Sequence, residues 1–134
     1  MTITNHLESE CDSYEGKFSY DSIMRPKKRK EGRTRWNQCE EQVREIDSSL
    51  LKGSVLDFGS GVGYFLLEGL KRGRDAWGMD ILPGKIKRYN NLVEFSKSPE
   101  EWKQRSVQGS GSAIPFAENT FSIVTSWFVF EHIE

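Results

Sequence analysis

The apolar positions of this chain change period at one place, and the elements on either side follow from that change. Val55, Leu56 and Phe58 form a short continuous run suited to a buried strand, Gly59, Gly61 and Gly63 interrupt it, and Phe65, Leu66 and Leu70 resume at helical spacing. The order is strand, tight turn, helix. Glycines at the turn let the backbone bend sharply and leave no Cβ between it and a ligand lying over the helix start.

Upstream, Cys39, Val43, Ile46 and Leu50 recur at helical spacing with Glu40, Glu41, Arg44 and Glu45 on the other face. They predict an amphipathic helix from Asn37 to near Gly53, with Cys39 a core residue rather than a reactive thiol. Downstream, the helix after the glycines is expected over residues 62–71, with Gly73 as its stop. Residues 74–80 read as a second strand whose carboxyl end carries Asp80. Pro83 and Gly84 then open a helix continued by Ile86, Tyr89, Leu92, Val93 and Phe95, with Lys85, Lys87 and Arg88 as its solvated face. A break at residues 98–102 precedes a weak third strand at 105–109, and residues 121–130 read as a near-continuous apolar fourth strand closed by Glu131, His132 and Ile133. Strands alternating with helices predict an α/β domain with a parallel sheet.

Residues 1–24 hold neither period and read as an arm. Its Tyr14, Phe18 and Tyr20 either fold over a ligand as a lid or pack on the domain. Arg25, Lys27, Lys28, Arg29, Lys30, Arg33 and Arg35 follow, ending at Trp36. A cationic run closed by an aromatic can grip phosphates and stack a base, can hold an anionic substrate, or can simply be a solvated linker; the linker is the favoured reading. The expected organisation is therefore an arm with a basic linker over residues 1–36 and one domain over 37–134.

Composition narrows the picture only a little. With 134 residues the chain makes one domain, short for an open-sheet enzyme, and 19 basic against 20 acidic residues give no global steer toward nucleic acid or membrane. Cys11 and Cys39 form neither a disulfide framework nor a metal-ligand spacing. No signal-peptide pattern opens the chain and no apolar run approaches membrane-spanning length, so a soluble, cytoplasmic protein without membrane contact is expected.

The glycine spacing selects between two ligand classes. Dinucleotide folds space their glycines G-x-G-x-x-G, whereas here the spacing is G-x-G-x-G, with Tyr64 where a third glycine would be needed, which disfavours NAD. The stretch from Asp57 through Gly59, Ser60, Gly61 and Gly63 resembles the first motif of class I S-adenosylmethionine-dependent methyltransferases. Two later features agree. Asp80 stands about 20 residues past the loop, where a carboxylate can accept hydrogen bonds from both hydroxyls of a ribose, and the "Ile-Pro-Phe, Asn-x-Phe" layout of residues 114–121 is similar to the adenine-side loop of the broad type 11 group.

The resemblance covers about residues 38–134 and implies a Rossmann-like sheet, S-adenosylmethionine as cofactor and a small-molecule methyl acceptor. It places Asp57, Gly59, Ser60, Gly61 and Gly63 around the methionine part, Asp80 on the ribose, Ile81 against the adenine face, Ser110 and Gly111 at the adenine edge, and Trp127 in the same site. Serine at position 110 replaces the usual acid and loses its charge assistance; Ser122 likewise stands where the family often has Asp. The fourth-strand ending implies a methyl-facing role for Glu131 and His132, with His132 as base, because its unperturbed pKa lies near neutrality, and Glu131 as its orienter; a solvated strand end is the bland alternative. No metal is expected.

In this family the fourth strand is internal. A chain stopping just after it is expected to be a fragment of a longer product, exposing an apolar edge that invites self-association. Two other functions stay open: a cofactor-binding module without turnover, and a nucleic-acid methyltransferase that uses the basic arm.

Overall fold

The computed structural model describes residues 18–127. Tyr14, Glu131 and His132 lie outside them, so the catalytic pair expected there has no structural account. A short helix α1 (Tyr20–Ile23) leads into α2 (Pro26–Asp47), followed by a 3-10 turn at Ser48–Lys52. Then come β1 (Val55–Phe58), α3 (Tyr64–Lys71), β2 (Ala76–Asp80), α4 (Pro83–Phe95), a 3-10 turn at Glu100–Arg105, β3 (Ser106–Gln108) and β4 (Ile123–Thr125). The four strands form one parallel sheet in the order β3-β2-β1-β4. This is the partial Rossmann-like architecture expected.

The sheet separates two faces. Val55 and Ala76 are paired, lie on the helix side, and join a core built from Phe65, Leu66, Leu67 and Leu70 of α3, Tyr89, Leu92 and Val93 of α4, and Trp36, Cys39 and Val43 of α2. On the other face Leu56 and Trp77 are paired, and the segment between β3 and β4 lays Phe116 edge-on to Trp77, with Phe121 against Phe116. That cover stops short of β4. Val124, next to Leu56 in register, is 62% exposed, and β4 is an edge of the sheet among the described residues.

Helix α2 corrects two expectations. It begins at Pro26 rather than Asn37, so the basic run is helical and the boundary drawn at residue 36 falls inside one continuous element. Pro26 at the first helical position fits that start, and Lys and Arg are good helix formers. Trp36, for which stacking on a base was one open reading, is 1% exposed, 4.5 Å from the Phe65 ring, with Nε1 donating to Glu40 Oε1 at 2.8 Å. Gly32 lets α2 approach the start of α3, where a Cβ would come within 2.7 Å of the Tyr64 carbonyl oxygen.

Ile46 was expected in the core face and is 80% exposed. The cause is length: α2 spans about 33 Å and the eight-residue α3 about 12 Å. Contacts pair Gly32 with Tyr64, Trp36 with Phe65 and Gly69, and Asn37 with Arg72, so α3 ends before α2 reaches Ile46. The fourth strand is also shorter than the apolar run suggested: three residues pair with β1, and Trp127 leaves the strand to pack on Phe65. Residues 128–130 of that run lie outside the described part. Phe18 packs in the core beneath the Arg88 guanidinium, and Tyr20 meets Phe95, so both arm aromatics pack on the domain.

Trp36→Ala should cost about 3–5 kcal/mol by urea unfolding, since it removes the largest buried side chain between α2 and α3. Ile46→Ala should stay within about 0.5 kcal/mol of the parent chain. Equal losses for the two variants would show that α2 does not pack as described.

Candidate functional site

Three consecutive backbone amides of the glycine turn are tied to the end of β2. Gly59 and Ser60 both donate to the Met79 carbonyl, at 2.8 and 2.9 Å, and Gly61 donates to Asp80 Oδ2 at 2.8 Å. The other oxygen of Asp80 accepts from the Leu82 amide at 3.0 Å, which also fixes the start of α4. Asp80 therefore already holds two backbone donors; a carboxylate has about four acceptor positions, so each oxygen keeps capacity for a ligand hydroxyl.

Gly59, Gly61 and Gly63 all have positive φ, at 76°, 60° and 95°. At Gly61 a Cβ would meet nothing within 4 Å, so open space lies over this residue. At Gly63 a Cβ would fall on the Tyr89 ring. Gly63 thus serves the packing of the α3 start on α4, and Gly61 faces the open side.

Beside the turn, β1 runs between β2 and β4, which makes its carboxyl end the point where the strand order reverses. Crevices at such points are the usual ligand sites of open α/β sheets. Here Asp57, paired in register with Thr125, accepts a hydrogen bond from Thr125 Oγ1 at 2.8 Å and is 3% exposed. Burial pushes its carboxyl up to about 7, against the lowering effects of the Thr125 hydrogen bond and the Arg35 charge, with the Asp80 charge adding to the rise.

A cavity of about 440 Å³ opens over this point, within the size range of small-molecule sites. Asp57, Gly59, Ser60, Gly61 and Val62 line its floor, with Phe65 and Trp127 at one side. The Trp127 indole N–H is buried without an acceptor among the described residues, and the Trp127 ring stacks 5.4 Å from the Arg35 guanidinium. The roof comes from Ser22, Arg25, Lys28 and Arg35, and from Lys85 and Arg88 of α4. Tyr64 at the start of α3 donates its hydroxyl to the Ile23 carbonyl at 2.6 Å, tying α1 to the helix that follows the turn.

Apart from Gly63, which packs on Tyr89 and does not line the cavity, the residues expected to contact a cofactor fall into two groups. Asp57, Gly59, Ser60, Gly61 and Trp127 line the cavity. Asp80, Ile81, Ser110 and Gly111 lie along the open carboxyl edge of β2 and β3, where Gly109 N donates to the Asp80 carbonyl, Ser110 bridges to Ala113, and Ile81 is half exposed. Ser122 is at neither place; it packs against Gly53 and donates its amide to the Ser54 carbonyl. The sequence had put Lys85 and Arg88 on a solvated face and Arg25, Lys28 and Arg35 in a linker, yet all five line the cavity. Thr125 as the partner of Asp57 was not visible in the sequence either. Cys39 is buried and burial raises its thiol pKa, in keeping with a core residue. Among the described residues no group of acidic, His and Cys side chains can hold a metal, and no helix is long and apolar enough to cross a membrane.

A family model described as a methyltransferase domain matches residues 28–134. No curated protein matches the chain.

Because the folded-state pKa of Asp57 is raised, its protonated form stabilises the fold; this contribution is complete below about pH 4 and is lost as pH rises through about 7. The stability of the parent chain relative to Asp57→Asn should therefore fall between pH 4 and pH 7.5, by at most about 4 kcal/mol. Urea unfolding of both proteins across that range checks it, and parallel pH profiles would contradict the buried-carboxyl assignment.

Proposed function

Because the chain belongs to the class I methyltransferase family, we propose that it transfers the methyl group of S-adenosylmethionine to a small acceptor bound in the cavity over the glycine turn. The observation that carries this is the buried Asp57 carboxyl on the same cavity wall as a glycine turn pinned to Asp80. When bound, S-adenosylmethionine supplies a sulfonium methyl that passes to an acceptor lone pair while the C–S bonding electrons return to sulfur.

The residues present fit such a cofactor. Asp57 can face the ammonium group of a methionine moiety, the open space over Gly61 admits its backbone-hugging chain, and the buried Trp127 N–H offers a donor with no acceptor among the described residues. Asp80 retains acceptor positions for ribose hydroxyls at the open edge, where Ile81 offers an apolar surface and Ser110 and Gly111 flank the far side. What this chain contributes to rate is placement: an in-line displacement gains most from holding donor and acceptor at fixed approach. A roofed cavity over the turn also limits the water that competes for the methyl.

Calorimetric titration with S-adenosylmethionine tests this. Ionised Asp57 binds a cation better than neutral Asp57, so affinity should rise several-fold between pH 6 and pH 7.5 as the carboxyl ionises around 7, and Asp57→Asn should flatten that rise. Gly61→Val, which places a branched side chain in the open space at φ +60°, should abolish binding, and NAD should not bind. Absence of S-adenosylmethionine binding by the folded chain would overturn the proposal.

A further inference from the structure

The cavity carries more positive charge than the proposed cofactor accounts for. Among the described residues its lining includes five cations, Arg25, Lys28, Arg35, Lys85 and Arg88, against two acids, Glu31 and Asp57. Glu31 is shared between Lys28, at 3.6 Å, and Arg35. Asp57 is buried and partly protonated near neutrality. Arg25 and Lys85 have no carboxylate partner among the described residues. Two of the other cations are set in place by aromatic faces: Arg35 lies over Trp127 at 5.4 Å and Arg88 over Phe18 at 4.5 Å.

S-adenosylmethionine brings a sulfonium and an ammonium against one carboxylate. It is a net cation, and its entry adds to the excess instead of offsetting it. Like charges lining one partly desolvated cavity repel one another, and a negative guest offsets that repulsion. The cations also come from two separate elements, the start of α2 and the start of α4, which converge over the glycine turn. Convergence from different elements onto one space distinguishes them from a basic helix face. Lys27, Lys30 and Arg33, which are exposed on α2, do not line the cavity.

The geometry points to a methyl acceptor bearing an anionic group, a carboxylate or a phosphate, clasped between Arg25 on one side and Lys85 and Arg88 on the other, a step that rests on the methyltransferase reading. Guanidinium and ammonium groups suit both anions, since each offers several N–H donors to oxygen acceptors. The cavity's volume of about 440 Å³ matches a small acceptor in size. An anion there also sits opposite the cationic donor, so acceptor and cofactor attract one another across the line of transfer.

The test is calorimetric titration of inorganic phosphate, and separately of succinate, into protein saturated with S-adenosylhomocysteine, for the parent chain, Arg25→Gln, Lys85→Gln, the double variant, and a Lys97→Gln control beyond the far end of α4. At least one anion should bind saturably. Each single variant should weaken it about fivefold, the double variant more than tenfold, and Lys97→Gln should leave it unchanged, with circular dichroism confirming that all variants fold. The phosphate and succinate arms separate the two anion classes. Three results would overturn the inference: no saturable binding of either anion, binding insensitive to Arg25 and Lys85, or anions that compete with S-adenosylhomocysteine, which would give the cations to the cofactor's own carboxylate. Saturable binding of a single-stranded RNA oligonucleotide with neither small anion bound would overturn it in favour of a polymer. Failure of S-adenosylhomocysteine to bind the parent chain is a different result, and removes the methyltransferase reading together with the acceptor.

Discussion

The hydrogen bonds from three successive turn amides to the last two residues of β2 are the constraint on which the site depends. A glycine-rich turn alone is loose, because glycine gives up more backbone freedom on folding than any other residue. Here Met79 O takes two of the amides and Asp80 Oδ2 the third, so the turn is held at the height of the β2 terminus. Asp80 also fixes the first turn of α4 through the Leu82 amide. One carboxylate thereby sets the position of the glycine floor and of the helix that brings Lys85 and Arg88 over it.

Sheet order explains why the buried acid is next to that floor. With β4 returning to the far side of β1, the carboxyl end of β1 has a neighbour on each side, and Asp57 meets Thr125 across one of them. Alternation along β1 puts Val55 and Asp57 on the same face, so the polar residue lies one step beyond the apolar core rather than on the opposite side. The Tyr64 hydroxyl on the Ile23 carbonyl ties α1 to the α3 start, while Gly32 allows α2 to close on it. Floor, wall and roof are thus three separate local devices that meet at one end of the sheet.

What the sequence made legible was local. Apolar runs of the right period marked β1, α3, β2 and α4, and Gly73, at φ 76° just past α3, supplied the stop that its residue type suggested. The first half of α2 was missed because its charge hides its period: between Pro26 and Arg35 only Gly32 is buried, and a glycine carries no hydrophobic signal. Ile46 misled in the opposite sense, since spacing marks a face but cannot say where the partner helix ends. The apolar run at residues 121–130 overstated β4 because an aromatic such as Trp127 fits a strand or a core equally well, and only the packing on Phe65 decides between them. Thr125 as partner to Asp57, 68 residues away, follows from strand register alone, which no local pattern encodes.

Charge ties these pieces into one chemical argument. Burial dominates at Asp57 and carries its carboxyl up to about 7, against the smaller pulls of the Thr125 hydroxyl and Arg35 toward the anion, which leaves it poised at neutral pH. A group so balanced responds to small changes around it, and a cation placed over Gly61 would tip it toward the ionised form. The same cation would oppose the basic roof, where Lys28 and Arg35 already share Glu31. A positively charged donor and a positively charged roof can occupy one cavity only if negative charge stands between them, and Asp57 lies in the floor, on the donor's side. The anionic acceptor group inferred above would supply negative charge on the roof side, opposite Asp57, so that each guest meets its counter-charge on its own side of the cavity.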